Sequence, residues 1–109
     1  MKRGEVWTVA GGGDYTGKPR PVVIVQDDRF EGTDSVTVCA LTSAAVEAPL
    51  LRIAADPTVL NGLDGPSQAM VDKVTTVRRK RLDRRIGVLA LDDLSRISRA
   101  LLVFLRLAG

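Results

Sequence analysis

The sequence contains no histidine. That removes the usual acid–base side chain near neutral pH, and with it Ser-His-Asp and Cys-His arrangements. There is one cysteine, Cys39, so no internal disulfide can form. A lone cysteine fits a reducing compartment. One cysteine without any histidine also makes no ordinary zinc ligand set. Catalysis in such a chain must rest on Arg, Lys, Tyr, Ser, Thr or carboxylates. Aromatic residues are only 4% of the chain, so Val, Leu, Ile and Ala must fill the core. The longest apolar run, Ala100 to Leu105, is far short of the roughly 20 residues of a membrane span. The opening "MKRGEVW" lacks the apolar stretch of a signal peptide. These absences predict a cytoplasmic protein that does not enter a membrane.

What is present suits one domain, residues 1–109. The net charge of +3 fits a polyanionic or acidic partner. "EVWTV" (Glu5 to Val9) reads as a strand, being β-branched and aromatic. "PVVIVQ", "VTVCALTS" and "LLRIA" read as three more, and "SQAMVDKVTTVRR" as one or two. Cys39 lies inside "VTVCAL" and is expected to be a small buried hydrophobe. Between the strands lie a Gly-rich loop, "AGGGDYTGKP", a polar turn, "DDRFEGTDS", and a turn-rich segment, "DPTVLNGLDGPS". Short strands without helices between them predict a small antiparallel barrel or curled sheet. A C-terminal helix follows, with Asp92 as the expected N-cap and Asp93 in its first turn. Leu94, Ile97, Leu101, Phe104 and Ala108 recur at helical spacing, and Leu102, Val103, Leu105 and Leu107 form a second apolar face. A helix apolar nearly all round needs two covering surfaces, which predicts a homodimer. The pairs Asp27–Asp28 and Asp92–Asp93 are read as a turn opening and a helix cap, not as metal ligands.

Arg20 stands between Pro19 and Pro21 at the head of a strand. A proline fixes its own φ and restricts its predecessor, so this arginine has little backbone freedom. A guanidinium offers a planar fork of donors suited to phosphate, and it stabilises growing negative charge better than it accepts a proton. The nearby glycines let backbone N–H groups approach an anion. "GGGDYTG" is nevertheless no P-loop, so nucleoside triphosphate binding is not expected. A loop arginine paired with a surface carboxylate is the plainer reading. Thr42–Ser43 and Asp72–Lys73 are the other polar sites at strand ends.

Taken in order, "KRGEVW", "GDYTGKPRPVVIVQDD", "VTVCALTS" and "VDKVTTVRRKRLDRRIGVL", followed by a helix, resemble the MazF/PemK toxin family over nearly the whole chain. The resemblance implies a mainly β SH3-like barrel with a C-terminal helix, assembled as a homodimer. It implies a sequence-specific, ribosome-independent endoribonuclease for single-stranded RNA that uses no metal or other cofactor. It also implies an acidic MazE-like antitoxin as partner. Arg20 matches the family's catalytic arginine and Thr42 its catalytic threonine. Asp72 falls where an acidic residue stands near the RNA, and Lys73 where glutamine is frequent. Ser43, Ser67 and Met70 fall on RNA-lining positions, and Asp14, Tyr15 and Lys18 on the loop at the substrate.

Many members read G-x-E-x-x-G-x-R-P, and here Tyr15 stands at the glutamate position. A tyrosine there suits stacking on a base, or capping of the barrel. The implied chemistry is attack of the RNA 2′-OH on its own phosphodiester, giving a 2′,3′-cyclic phosphate and a 5′-OH. Asp72 or Asp14 is a candidate base if desolvation raises its pKa. Arg78 to Arg85 holds six basic residues in eight. The run reads as a track for the RNA backbone, as a solvated face with Arg81 or Arg85 in structural pairs, or as a dock for an acidic antitoxin tail. Two other functions remain open on the same fold. A CcdB-like gyrase poison acts through a C-terminal helix with a late tryptophan, whereas the single tryptophan here is Trp7. A non-catalytic SH3-like binding module would require neither Arg20 nor Thr42.

Overall fold

A computed structural model describes residues 1–10 and 20–107. Seven strands precede one helix: β1 (Glu5–Val9), β2 (Arg20–Ile24), β3 (Ser35–Thr42), β4 (Arg52–Ala55), β5 (Ser67–Met70), β6 (Thr75–Arg78), β7 (Leu82–Val88) and α1 (Leu91–Phe104). All pairings are antiparallel, in the order β4-β5-β3-β2-β1-β7, with β6 also on β3. β3 organises the sheet. Its first half pairs with β6 and its last two residues, Leu41 and Thr42, pair with β5, while β2 runs along its other edge. Two partners on one edge force the sheet to curl, as expected for a small barrel. Among the described residues no pairing joins β4 to β7, so the sheet is curled and open.

The unbroken run in β2 follows from burial on both faces. Val23 joins Val6, Cys39, Leu41, Leu94 and Ile97 in the core beneath α1. Val22 and Ile24 join Val36, Val38 and Leu82 on the opposite face, where Trp7 and Val9 pack against them. Cys39 is buried, as expected, and its thiol donates to the Met70 carbonyl at 3.2 Å.

Two sequence expectations need correction, and one strand was not anticipated. β7 is a strand although "LDRRIGV" is charged. Among the described residues it pairs on one side only, with β1, and such an edge position tolerates its arginines. α1 begins two residues earlier than expected. Ala90 is the N-cap and has no side-chain cap bond, so Asp92 and Asp93 both lie in the first turn. There they suit the positive end of the helix and bind Arg96 instead. Finally, the expected inner stripe fades along the helix. Leu94 and Ile97 are buried and Leu101 is half-buried, but Phe104 is exposed. Ala108 lies outside the described residues.

The segment between β4 and β5 has no regular structure but is firmly held. Asn61 is fully buried there. Its Oδ1 accepts from the N–H groups of Thr58 and Leu63, both at 3.0 Å, and its Nδ2 donates to the Asp56 carbonyl at 2.8 Å. Gly62 and Gly87 bring this loop against β7 backbone to backbone. A Cβ on Gly87 would stand 2.3 Å from the Leu60 carbonyl oxygen, and one on Gly62 would stand 2.1 Å from that of Ile86. Gly62 also has φ of 68°, which glycine adopts without strain.

Candidate active site

The antiparallel order brings the end of β3, the start of β2 and the start of β5 to one end of the sheet. A cleft of about 750 Å³ opens there. Arg20, Thr42, Ser43 and Ser67 line it together, with Thr8 from β1, Arg84 from β7, and Gly62, Leu63 and Asp64 from the loop that Asn61 holds. Arg20 is exposed at the first position of β2, opposite Val9 of β1. The strand pairing fixes where its side chain starts.

Thr42 ends β3 with its hydroxyl already oriented. Its Oγ1 accepts the Ala44 N–H at 3.1 Å. This is the local turn bond that Ser and Thr make two residues ahead. One lone pair is thereby used, and the hydroxyl proton remains for a ligand. Ser67 donates to the Gly65 carbonyl at 3.1 Å, tying β5 to the cleft wall. Ser43 lies just past the strand and is exposed.

The other expected residues divide into two groups. Asp14, Tyr15 and Lys18 lie outside the described residues, as does the Gly-rich loop. Met70, Asp72 and Lys73 are described and do not line this cleft. The Met70 side chain is buried. Asp72 sits in a single 3₁₀ turn, Val71–Lys73, and its carboxylate is ion-paired and hydrogen-bonded to Arg52. In this chain the Asp72 carboxylate is engaged by Arg52 and does not line the cleft. Lys73 is exposed on the same turn. The strand ends therefore converge for Arg20, Thr42 and Ser43 but not for Asp72 and Lys73. Among the described cleft residues Asp64 is the carboxylate, and sequence reading passed over it because it sits among turn residues.

The basic run resolves residue by residue. Arg79 donates to the carbonyls of Thr33 and Phe30, and Arg81 to that of Ala10. Arg85 is ion-paired with Glu5 at 3.2 Å. These arginines hold the fold together, as the structural reading expected. Arg84 instead lines the cleft, a placement that the sequence did not reveal.

Two ionisable groups near the frame carry shifted pKa values. Burial pushes the Cys39 thiol up to about 12, and nearby Asp72 adds to the rise. This thiol is no nucleophile at neutral pH. For Glu5, burial opposes the charge, but hydrogen bonds from Trp7 Nε1 and Lys2 N outweigh it, helped by the N-terminal ammonium and Arg85. Its carboxyl is held below the usual value of 4.5.

A curled antiparallel sheet with a guanidinium and a hydroxyl at one end, and a C-terminal helix across one face, defines a small β protein with a polar cleft. The family model described as "PemK-like, MazF-like toxin of type II toxin-antitoxin system" matches residues 2–105, and the chain belongs to that family. It is 56% identical, over the full length of both chains, to the probable endoribonuclease MazF of Mycolicibacterium smegmatis. It is 28% identical to endoribonuclease MazF9 of Mycobacterium tuberculosis, covering 98% of each. Among solved structures, it superposes on a mycobacterial endoribonuclease in complex with its cognate antitoxin with a TM-score of 0.82. That match has 24% identity and covers 100% of this chain and 98% of the other.

Proposed function

We propose that the protein is an endoribonuclease toxin that cleaves single-stranded RNA at a short sequence without a metal, and that an acidic antitoxin silences it. The observation that carries the reading is the meeting of Arg20 and Thr42, 22 residues apart in the chain, at one cleft. The 56% identical relative, a probable endoribonuclease, supports the reaction type. The mycobacterial endoribonuclease solved with its cognate antitoxin supports the partner.

In the proposed reaction the RNA 2′-oxygen forms a bond to its own phosphorus as the bond from phosphorus to the 5′-oxygen breaks. The 2′-hydroxyl proton leaves to a base, and the departing 5′-oxygen takes up a proton. The products are a 2′,3′-cyclic phosphate and a 5′-OH. Charge grows on the nonbridging oxygens as phosphorus becomes five-coordinate. The Arg20 guanidinium meets that charge, and the free proton of Thr42 hydrogen-bonds the phosphate. Guanidinium charge supplies here what a metal ion supplies in other nucleases. Ser43 and Ser67 contribute hydroxyls along the same wall.

The proposed assembly is a homodimer. The far end of α1 and the turn after it expose Leu102, Val103, Phe104, Leu105 and Leu107, a surface that a second copy would cover. Trp7 donates to Glu5 within the frame and is not on the helix, so the gyrase reading has no residue to act through. A non-catalytic module would have no use for Arg20 and Thr42 in one cleft. Expression in a host cell tests the whole reading. Growth should stop on induction and resume with Arg20→Ala or Thr42→Ala at equal protein level. Arrest by both variants as strong as by the parent would show the site to be elsewhere.

A further inference from the structure

Arg84 has an unusual route into the cleft. Along β7, Leu82 pairs with Val9 of β1, whereas Arg84 pairs with Thr8, and the register shifts between them. Two residues of travel on β7 thus match one on β1, with Asp83 as the extra residue. In a regular strand Arg84 would share the face of Leu82, which is buried in the core on the side of Val22 and Ile24. The bulge turns Arg84 to the face of Thr8, and bulges beside sites commonly re-aim one side chain in this way. Arg85, opposite Trp7, then points to the other face and meets Glu5.

The surroundings of Arg84 also differ from those of its neighbours. Arg79, Arg81 and Arg85 each satisfy a carbonyl or a carboxylate. Arg84 is exposed, and among the described residues no carboxylate stands within ion-pair distance of it. An unpaired guanidinium on the wall of a concave site is a ready partner for an anion. Arg84 and Pro21 both pair with Thr8, on opposite sides, so their backbones are two strand spacings apart, roughly 9–10 Å. Arg20 follows one position along β2, opposite Val9, and both arginines line the same cleft, so two long guanidinium side chains suit two phosphates of one strand.

We propose that Arg84 binds a backbone phosphate of the RNA next to the one being cleaved, and so positions the substrate without taking part in the bond exchange. This rests on the endoribonuclease reading above. The test uses a short single-stranded oligodeoxynucleotide, which lacks the 2′-OH and is not cut, so binding is measured whether or not the protein cleaves RNA. Its affinity is titrated against salt for the parent, Arg84→Ala and Arg84→Lys. One lost phosphate contact should reduce the slope of log affinity against log salt by about 0.7. Affinity at low salt should fall about tenfold, and Arg84→Lys should restore the slope. On cleavable RNA, Arg84→Ala should raise KM and leave the positions of the cuts unchanged. An unchanged slope in a folded Arg84→Ala protein overturns the assignment, and so does a lost slope that lysine fails to restore. Absence of RNA cleavage by the parent would instead overturn the endoribonuclease reading, and the oligodeoxynucleotide slope would still decide Arg84.

Discussion

Arg81, Arg84 and Arg85 lie within five positions and do three different things. Arg81 closes the β1 end through the Ala10 carbonyl, Arg85 neutralises Glu5, and Arg84 faces the cleft. Sequence reading allowed structural pairs for Arg81 or Arg85 but did not single out Arg84, because composition carries no sign of a bulge. The strand-end positions of Arg20 and Thr42 were legible, since each stands beside motif residues. Replacing Arg20 by alanine should lower the rate of RNA cleavage by about 10²–10³-fold, with little change in thermal stability, since the residue is exposed. Single-turnover cleavage and a melting curve check both halves. Glu5 makes a prediction about acid. Its folded pKa lies below 4.5, so its contribution to stability is present above that pH and is lost as pH falls through the folded value. Glu5→Gln should be less stable than the parent at pH 7 and should narrow that gap as the pH approaches 3, measured by urea unfolding across the range. The Cys39 thiol, with a folded pKa of about 12, should react with an aromatic disulfide reagent only on unfolding. Reaction within minutes in native buffer would contradict its burial.

At the scale of elements, the turn-rich segment before β5 was read from its glycines and prolines as an excursion, correctly in its lack of regular structure. Its order came from something a pattern does not reveal: one asparagine satisfying three backbone groups, and two glycines with no room for a Cβ. This segment is the cleft wall that carries Asp64, so its rigidity is a functional matter. Asn61→Ala would leave the Thr58 and Leu63 N–H groups and the Asp56 carbonyl without that partner, at a cost of about 2–4 kcal/mol. Denaturant unfolding should show a lower midpoint with an unchanged slope. Gly87→Val should be worse still, because the clash is with backbone that cannot swing aside. β7 was missed because charge masked its alternation. The helix start was misplaced by two residues because Asp92 is a good cap by type, while the Leu94 N–H already bonds the Ala90 carbonyl.

At the scale of the molecule, a sheet buried on both faces explains how a chain so poor in aromatics holds together. Aliphatic side chains fill two cores, one beneath α1 and one on the far side. The apolar end of α1 remains uncovered in one chain. The mass in solution by light scattering should therefore be twice that of the chain, and charge placed at both Leu102 and Leu105 should halve it. The central claim is that the Arg20–Thr42 cleft cuts RNA without a metal. It is tested most directly by incubating the purified protein with a long unstructured RNA in EDTA and mapping the new ends. Cuts at one short recurring sequence, bearing 5′-OH and cyclic phosphate ends and absent with Arg20→Ala, are the predicted result. Intact RNA after exposure to a folded protein, or cuts that persist in Arg20→Ala, would contradict it.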